Sequence, residues 1–278
     1  MSMKLAIREA ESEAERVLAD HGLAELPICP HAIAQKAGIH IQPKDASSSG
    51  VSGFLMRVGD TFGIMYATHI ASEGFIRFTI AHELGHYFIP GHAEQLFPGG
   101  SGLHQSRNPF TSDDMLERQA DHFASALLMP ENLFRQAMNG CGQGILAIQT
   151  LAAQCKTSLT ATAIRYAKFT DDAVAVIVST GDRIDYCFMS ESIRDLKGIT
   201  WIKKGDAVPD ETATAEFNDD PDNVSEAHGI EGASYLDQWF DGAPQIEMNE
   251  DVVGLGTYGK TLTVLFTDES LVDDEEED

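Results

Sequence analysis

The chain has 278 residues, 43% of them hydrophobic, which is ordinary for a globular protein with a real core, and its net charge is −25. The acid is lopsided: residues 171–278 hold 28 acidic and 6 basic side chains, whereas residues 1–170 hold 16 and 13. Nucleic-acid backbones and anionic membrane surfaces both require a basic footprint, so that balance argues against either as a direct partner.

Residues 3–20 set Leu5, Ala6, Ala10, Ala14, Val17 and Leu18 near helical spacing with charges between, which predicts an amphipathic helix stopped at Gly22. A short helix over 30–37 follows and ends at Gly38; Ile39 and Ile41 then alternate with polar residues as in a strand. Ser47 to Gly50 read as a loop, and Phe54–Val58 and Thr61–Tyr66 flank Gly59-Asp60 as a hairpin. A small antiparallel sheet is therefore expected ahead of a helix over 75–89, which Pro90-Gly91 stops. Residues 91–112, rich in Gly, Pro, Ser and His, read as an irregular lid or binding loop. A strong helix is expected over 113–128 with Thr111 or Ser112 as N-cap, and another from Pro130 to Gly140. Two short helices over 145–168 meet at Lys156-Thr157-Ser158, as in a helix-turn-helix or a plain helical hairpin. A hairpin at 174–188 and a strand at 261–266 follow; 206–251 reads as acidic and loop-rich, and 273–278 as a disordered tail. The fold class is α+β: residues 1–140 as one domain, 141–170 as a helical pair, and 171–278 as an acidic, mixed α/β C-terminal domain.

The chemistry is concentrated in His82-Glu83-Leu84-Gly85-His86, which fits H-E-x-x-H. On a helix the i,i+4 spacing brings both imidazoles to one face, where they can grip one Zn²⁺. Glu83 is then placed to act on water at the metal as the catalytic general base rather than to bind the ion. A catalytic zinc needs a third protein ligand, and two candidates compete. His92 stands ten residues after His82, although Ile89 occupies the position where such sites use a turning glycine. Glu117 lies on the 113–128 helix, with Asp121 at i,i+4 able to hold an imidazole by its second nitrogen. His104 reads as a surface histidine of the loop, and His122 as a half-buried packing residue.

The runs Arg77 to His86, Glu117 to Ala124 and Leu127-Leu128-Met129-Pro130 together resemble the ImmA/IrrE metallopeptidases, with weaker similarity reaching upstream so that about residues 10–140 are covered. The resemblance implies a zincin-like domain, a metal held by His82, His86 and Glu117, and Asp121 in a position where the family often has Asn. It also implies a cytoplasmic enzyme that cuts a helix-turn-helix repressor and so switches on phage, mobile-element or stress-response genes. The order of peptidase, helical pair and α/β domain resembles the long, IrrE-like form. Zn²⁺ is the expected ion, with Mn²⁺ as the alternative.

The lack of an N-terminal leader pattern or an apolar membrane run agrees with a cytoplasmic location. So do Cys29, Cys141, Cys155 and Cys187, which form no CxxC pair and read as buried free thiols. The competing reading is a DNA-binding or ligand-sensing regulator with a structural metal. For a peptidase, the 61–66 strand is expected as an exposed sheet edge that pairs with substrate, and the acidic 171–278 region either as a docking surface for a basic partner or as a charge that keeps the protein in solution.

Overall fold

The computed structural model describes residues 2–44, 51–68, 72–107, 114–269 and 271. The expected loop at 47–50, the N-cap candidates Thr111 and Ser112, and the tail 273–278 lie outside them. The chain forms two compact units, residues 1–137 with 151–158, and residues 138–150 with 159–278.

The first unit opens with α1 (Met3–His21), which buries Ala6, Ala10, Ala14, Val17 and Leu18 along one stripe and ends at Gly22. Helix α2 (Pro30–Lys36) leads into β1 (His40–Lys44), β2 (Val51–Val58) and β3 (Thr61–Ala67), the last two closing the expected hairpin. Helix α3 (Glu73–Phe88) starts on Ser72, whose hydroxyl accepts from the Phe75 N–H, and every residue from Arg77 to His86 is buried. A helix covered on all sides has no solvent stripe, so its polar residues must find partners inside. Helix α4 (His92–Leu96) and strand β4 (Ser101–Arg107) follow, then α5 (Met115–Leu128), capped by Asp114 through the Leu116 N–H.

Three expectations are corrected in this unit. The described part of residues 91–112 is not an irregular loop, because 92–96 is helical and 101–107 pairs with β2 from Val58↔Ser101 to Val51↔Arg107, while 108–112 lie outside the described residues. The polar run Ser-Gly-Leu-His-Gln-Ser-Arg has the composition of a loop, and only pairing with the apolar β2 gives it strand geometry. The sheet is mixed rather than antiparallel, with order β1-β3-β2-β4 and β1 parallel to β3. Strand β3 is therefore interior, not an exposed edge, and the edges among the described strands are β1 and β4.

Two glycines permit the close packing. A Cβ on Gly53 of β2 would stand 2.5 Å from both Glu83 Oε1 and Thr79 Cγ2, so only glycine lets β2 lie this close to α3. A Cβ on Gly85 would meet Ala120 Cα at 3.1 Å and the Phe123 ring, so the small residue inside the motif is where α5 crosses α3.

In the second unit, strands β5 (Ala173–Thr180), β6 (Arg183–Met189), β7 (Gly229–Tyr235), β8 (Glu247–Gly254) and β9 (Thr261–Thr267) form an antiparallel sheet of order β6-β5-β9-β8-β7. Its core includes Ile177, Ile184, Leu236, Phe240, Met248 and Leu265. Residues 206–251, expected to be loop-rich, contain helices at 213–218, 221–225 and 236–239, all of β7 and the start of β8. Strand β7 is exposed at most positions, so the apolar alternation that betrays a half-buried strand is missing. The helical pair is Gly144–Cys155 and Leu159–Phe169, and the boundary between the compact units runs through the first of these helices. Of the four cysteines only Cys155 is buried; Cys29 is exposed and Cys141 and Cys187 are half-buried. No helix among the described residues is long and apolar enough to cross a membrane.

Candidate metal centre

Helix α3 presents His82 and His86 one turn apart, with their Nε2 atoms 3.1 Å from each other. Helix α5 brings in Glu117, whose Oε2 is 3.4 Å from His82 Nε2 and whose Oε1 is 3.2 Å from His86 Nε2. Ligands held about 2.0–2.1 Å from a tetrahedral ion sit about 3.3 Å from one another, so these three donors have the spacing of a shared cation. Among the described residues they form the one His/Cys/Asp/Glu group with that property.

The remaining faces of the imidazoles are also engaged. His82 Nδ1–H donates to Asp121 Oδ1 at 2.9 Å, the partnership expected of the Glu117 and Asp121 pair on one helix face. His86 turns its Nδ1 to His92 Nδ1 at 3.2 Å. His92 therefore stands behind the imidazole and does not join the Nε2 cluster. His122 points elsewhere, with its Nδ1 3.6 Å from Glu11 Oε1 on α1.

His104, which reads in the sequence as a surface histidine, is a partner of the cluster. Strand β4 places it opposite Leu55, and its Nε2 lies 2.9 Å from Glu117 Oε1. No local signal distinguishes it, because its position depends on the register between β2 and β4.

The electrostatics call for positive charge at the cluster. Burial works against a charged His82, but Asp121 and Glu117 outweigh it and push its pKa up to about 10. Burial takes His86 the other way, down to about 3, despite its hydrogen bond with Glu117. Glu117 also suffers from burial, yet the surrounding His104, His82 and His86 hold its carboxyl far below the carboxylate range. A proton on one imidazole satisfies this environment, and so does a cation shared by all three donors.

Glu83 is fully buried, and neither carboxylate oxygen has a hydrogen-bond partner among the described residues. Burial pushes it up to about 6, against the pull of the His82 charge and of the Ser106 hydroxyl, which lies short of a well-formed hydrogen bond. Burial without a partner disfavours the charged carboxylate, and such groups persist where function requires a further partner. A divalent cation held by His82, His86 and Glu117 would supply such a partner through its water, so the residues present fit a divalent metal.

Residues 34–166 match the family model described as Peptidase_M78: IrrE N-terminal-like domain, a span that contains α3, α4, β4 and α5. No curated protein matches the sequence. Among solved structures, a Mycobacterium tuberculosis transcriptional regulator is similar, with a TM-score of 0.58 at 13% identity over 96% of this chain and 82% of that chain. At that identity the likeness is one of fold.

Proposed function

Because residues 34–166 belong to the ImmA/IrrE family of metallopeptidases, we propose that this chain is a zinc-dependent endopeptidase in which His82, His86 and Glu117 hold the ion and Glu83 is the general base. The observation that carries the reading is the buried Glu83 carboxylate, which has no well-formed hydrogen bond among the described residues, beside a His-His-Glu set whose donor atoms lie 3.1–3.4 Å apart. Zinc bound there supplies a Lewis acid that polarises a peptide carbonyl and acidifies water. Zn²⁺ suits two imidazoles and one carboxylate, and Mn²⁺ is the alternative ion.

The chain's own residues do the rest. A carboxyl near pH 6 is ionised at neutral pH yet basic enough to take a proton from water and return it to the leaving amine. Asp121 holds the His82 ring in the tautomer that leaves Nε2 free. His104 steadies Glu117 from the strand side. Among the described strands β4, which carries His104, is an outer edge of the sheet, and an extended substrate segment pairs there rather than with the interior β3.

The resemblance to the family supports a helix-turn-helix repressor as substrate, cut in the cytoplasm to release phage, mobile-element or stress-response genes. The 28 acidic and 6 basic residues of 171–278 fit a basic DNA-binding partner by charge. The second reading, a DNA-binding or ligand-sensing regulator with a structural metal, draws on the name of the similar mycobacterial structure. A structural zinc is closed by a fourth protein ligand and has no use for Glu83, which favours the enzyme.

The deciding experiment is Glu83→Gln. The amide preserves shape, so zinc content and thermal stability should match wild type while cleavage falls by about 10²–10⁴-fold. Wild-type turnover by this variant would overturn the assignment.

A further inference from the structure

His92 occupies the place in sequence that other zinc peptidases use for a third histidine ligand, yet here it sits behind a ligand instead. Three contacts define its surroundings. Its Nδ1 is 3.2 Å from His86 Nδ1, its Nε2 is 3.3 Å from Gln119 Oε1, and Gln119 Nε2 is 3.2 Å from the Ala6 carbonyl oxygen on α1. All three side chains are buried, with His86 at 0%, His92 at 1% and Gln119 at 7% exposure. Solvent therefore does not compete for these bonds.

From this geometry we infer that His92 and Gln119 are positioning residues, forming a one-directional hydrogen-bond chain that locks His86 in its metal-binding tautomer and anchors it to the backbone of α1. The inference rests on the zinc reading above, and its direction follows from donor and acceptor counting. A neutral imidazole whose Nε2 lone pair binds a cation carries its only proton on Nδ1. His86 Nδ1–H must then donate, and the atom facing it is His92 Nδ1. His92 accepts there and so carries its own proton on Nε2, which donates to Gln119 Oε1. The Gln119 amide, with its oxygen so used, donates from Nε2 to Ala6 O. Every group in the chain takes one role, and reversing any link would leave two donors or two acceptors facing each other.

The local backbone is built to deliver this ring. Ile89 leaves α3 extended, with ψ 122, and Gly91 adopts φ +86, a conformation that favours glycine. The chain thereby reverses at Pro90-Gly91 and returns His92 beneath His86 at the first position of α4. The two ligands on α3 thus have unlike supports: a carboxylate, Asp121, for His82, and a neutral imidazole backed by an amide for His86. The second support ties the metal ligand to the N-terminal helix, a connection that sequence distance conceals.

The test uses the full-length chain, zinc-loaded, with ¹⁵N-labelled histidine. Long-range nitrogen–proton correlation should find His86 protonated on Nδ1 and His92 protonated on Nε2 with Nδ1 bare. His92 protonated on Nδ1 would overturn the inference while leaving the zinc assignment intact. Zinc competition against a chromophoric chelator provides the second measurement. His92→Phe, which fills the space but cannot accept, should weaken zinc binding by about 10–100-fold, the range for losing such an outer partner. His92→Asn, whose carbonyl oxygen falls where Nδ1 stood, should recover most of it. Wild-type affinity in a folded His92→Phe variant, or equal loss in Phe and Asn variants, overturns the orienting role. A wild-type chain that binds no zinc defeats the metal reading itself. The tautomer measurement on the unmutated chain keeps the inference falsifiable even if the phenylalanine variant fails to fold.

Discussion

Adding one methyl group at Gly53 should impair the proposed hydrolysis without touching a proposed metal ligand. The Cβ would arrive 2.5 Å from Glu83 Oε1, 2.5 Å from Thr79 Cγ2 and 3.4 Å from Glu83 Cδ. Ordinary contact begins near 3.4 Å, so the carboxylate oxygen must retreat by about 0.9 Å or β2 must lift from α3. Gly53 lacks positive φ, so Gly53→Ala adds no backbone strain and the effect is steric. Overpacking of this kind costs about 1–3 kcal/mol of stability. A catalytic group misplaced by about 1 Å costs about 10²-fold in rate. The expected outcome is zinc content equal to wild type by metal analysis, a urea midpoint lowered by an amount consistent with that range, and kcat/KM down about 100-fold on a peptide substrate. If kcat/KM stays within about 3-fold of wild type, a shift of this size at Glu83 does not matter and the general-base argument loses its geometric footing.

Two further outcomes follow from particular contacts. Asp121→Ala should lower zinc affinity by about 10–100-fold because His82 loses the acceptor that orients it, whereas Asp121→Asn, which can still accept through its oxygen, should lose much less; chelator competition measures both, and equal affinities in the two would refute the orienting role. In the second unit, burial acts to raise Asp185, but its bonds with Lys260 and the Thr180 hydroxyl prevail and hold its carboxyl below the ordinary value. A depressed folded pKa means stabilisation that is complete above the unfolded value of about 3.9 and lost as pH falls through the folded one. Urea titrations should therefore show Asp185→Asn less stable than wild type at neutral pH, with the gap closing in acid; a gap that is independent of pH would show that the ion pair contributes nothing.

What the amino-acid sequence determined by itself is local. The helix of H-E-x-x-H, its stop at Pro90-Gly91, the 54–66 hairpin and the helices near both ends of the first unit depend on spacing, caps and turn residues within a few positions of each other. So does the pairing of His82 with His86, because i,i+4 geometry belongs to any α-helix. Everything that required two distant segments to meet was decided by tertiary packing. Residues Glu117 and His92 are both plausible donors on paper, and it is the crossing of α5 over Gly85 that brings the carboxylate to the Nε2 side and leaves His92 on the Nδ1 side. Strand β4 looks like a loop until β2 pairs with it, and only that register turns His104 toward Glu117. Strand β3 reads as an edge until β1, parallel to it, covers its far side. In the second unit β7 carries too few buried residues for periodicity to reveal it, since its partner β8 supplies the hydrogen bonds that define it. Local propensity acts over a turn or two, while register and helix crossing are set by the shape of surfaces that become neighbours only when the core closes.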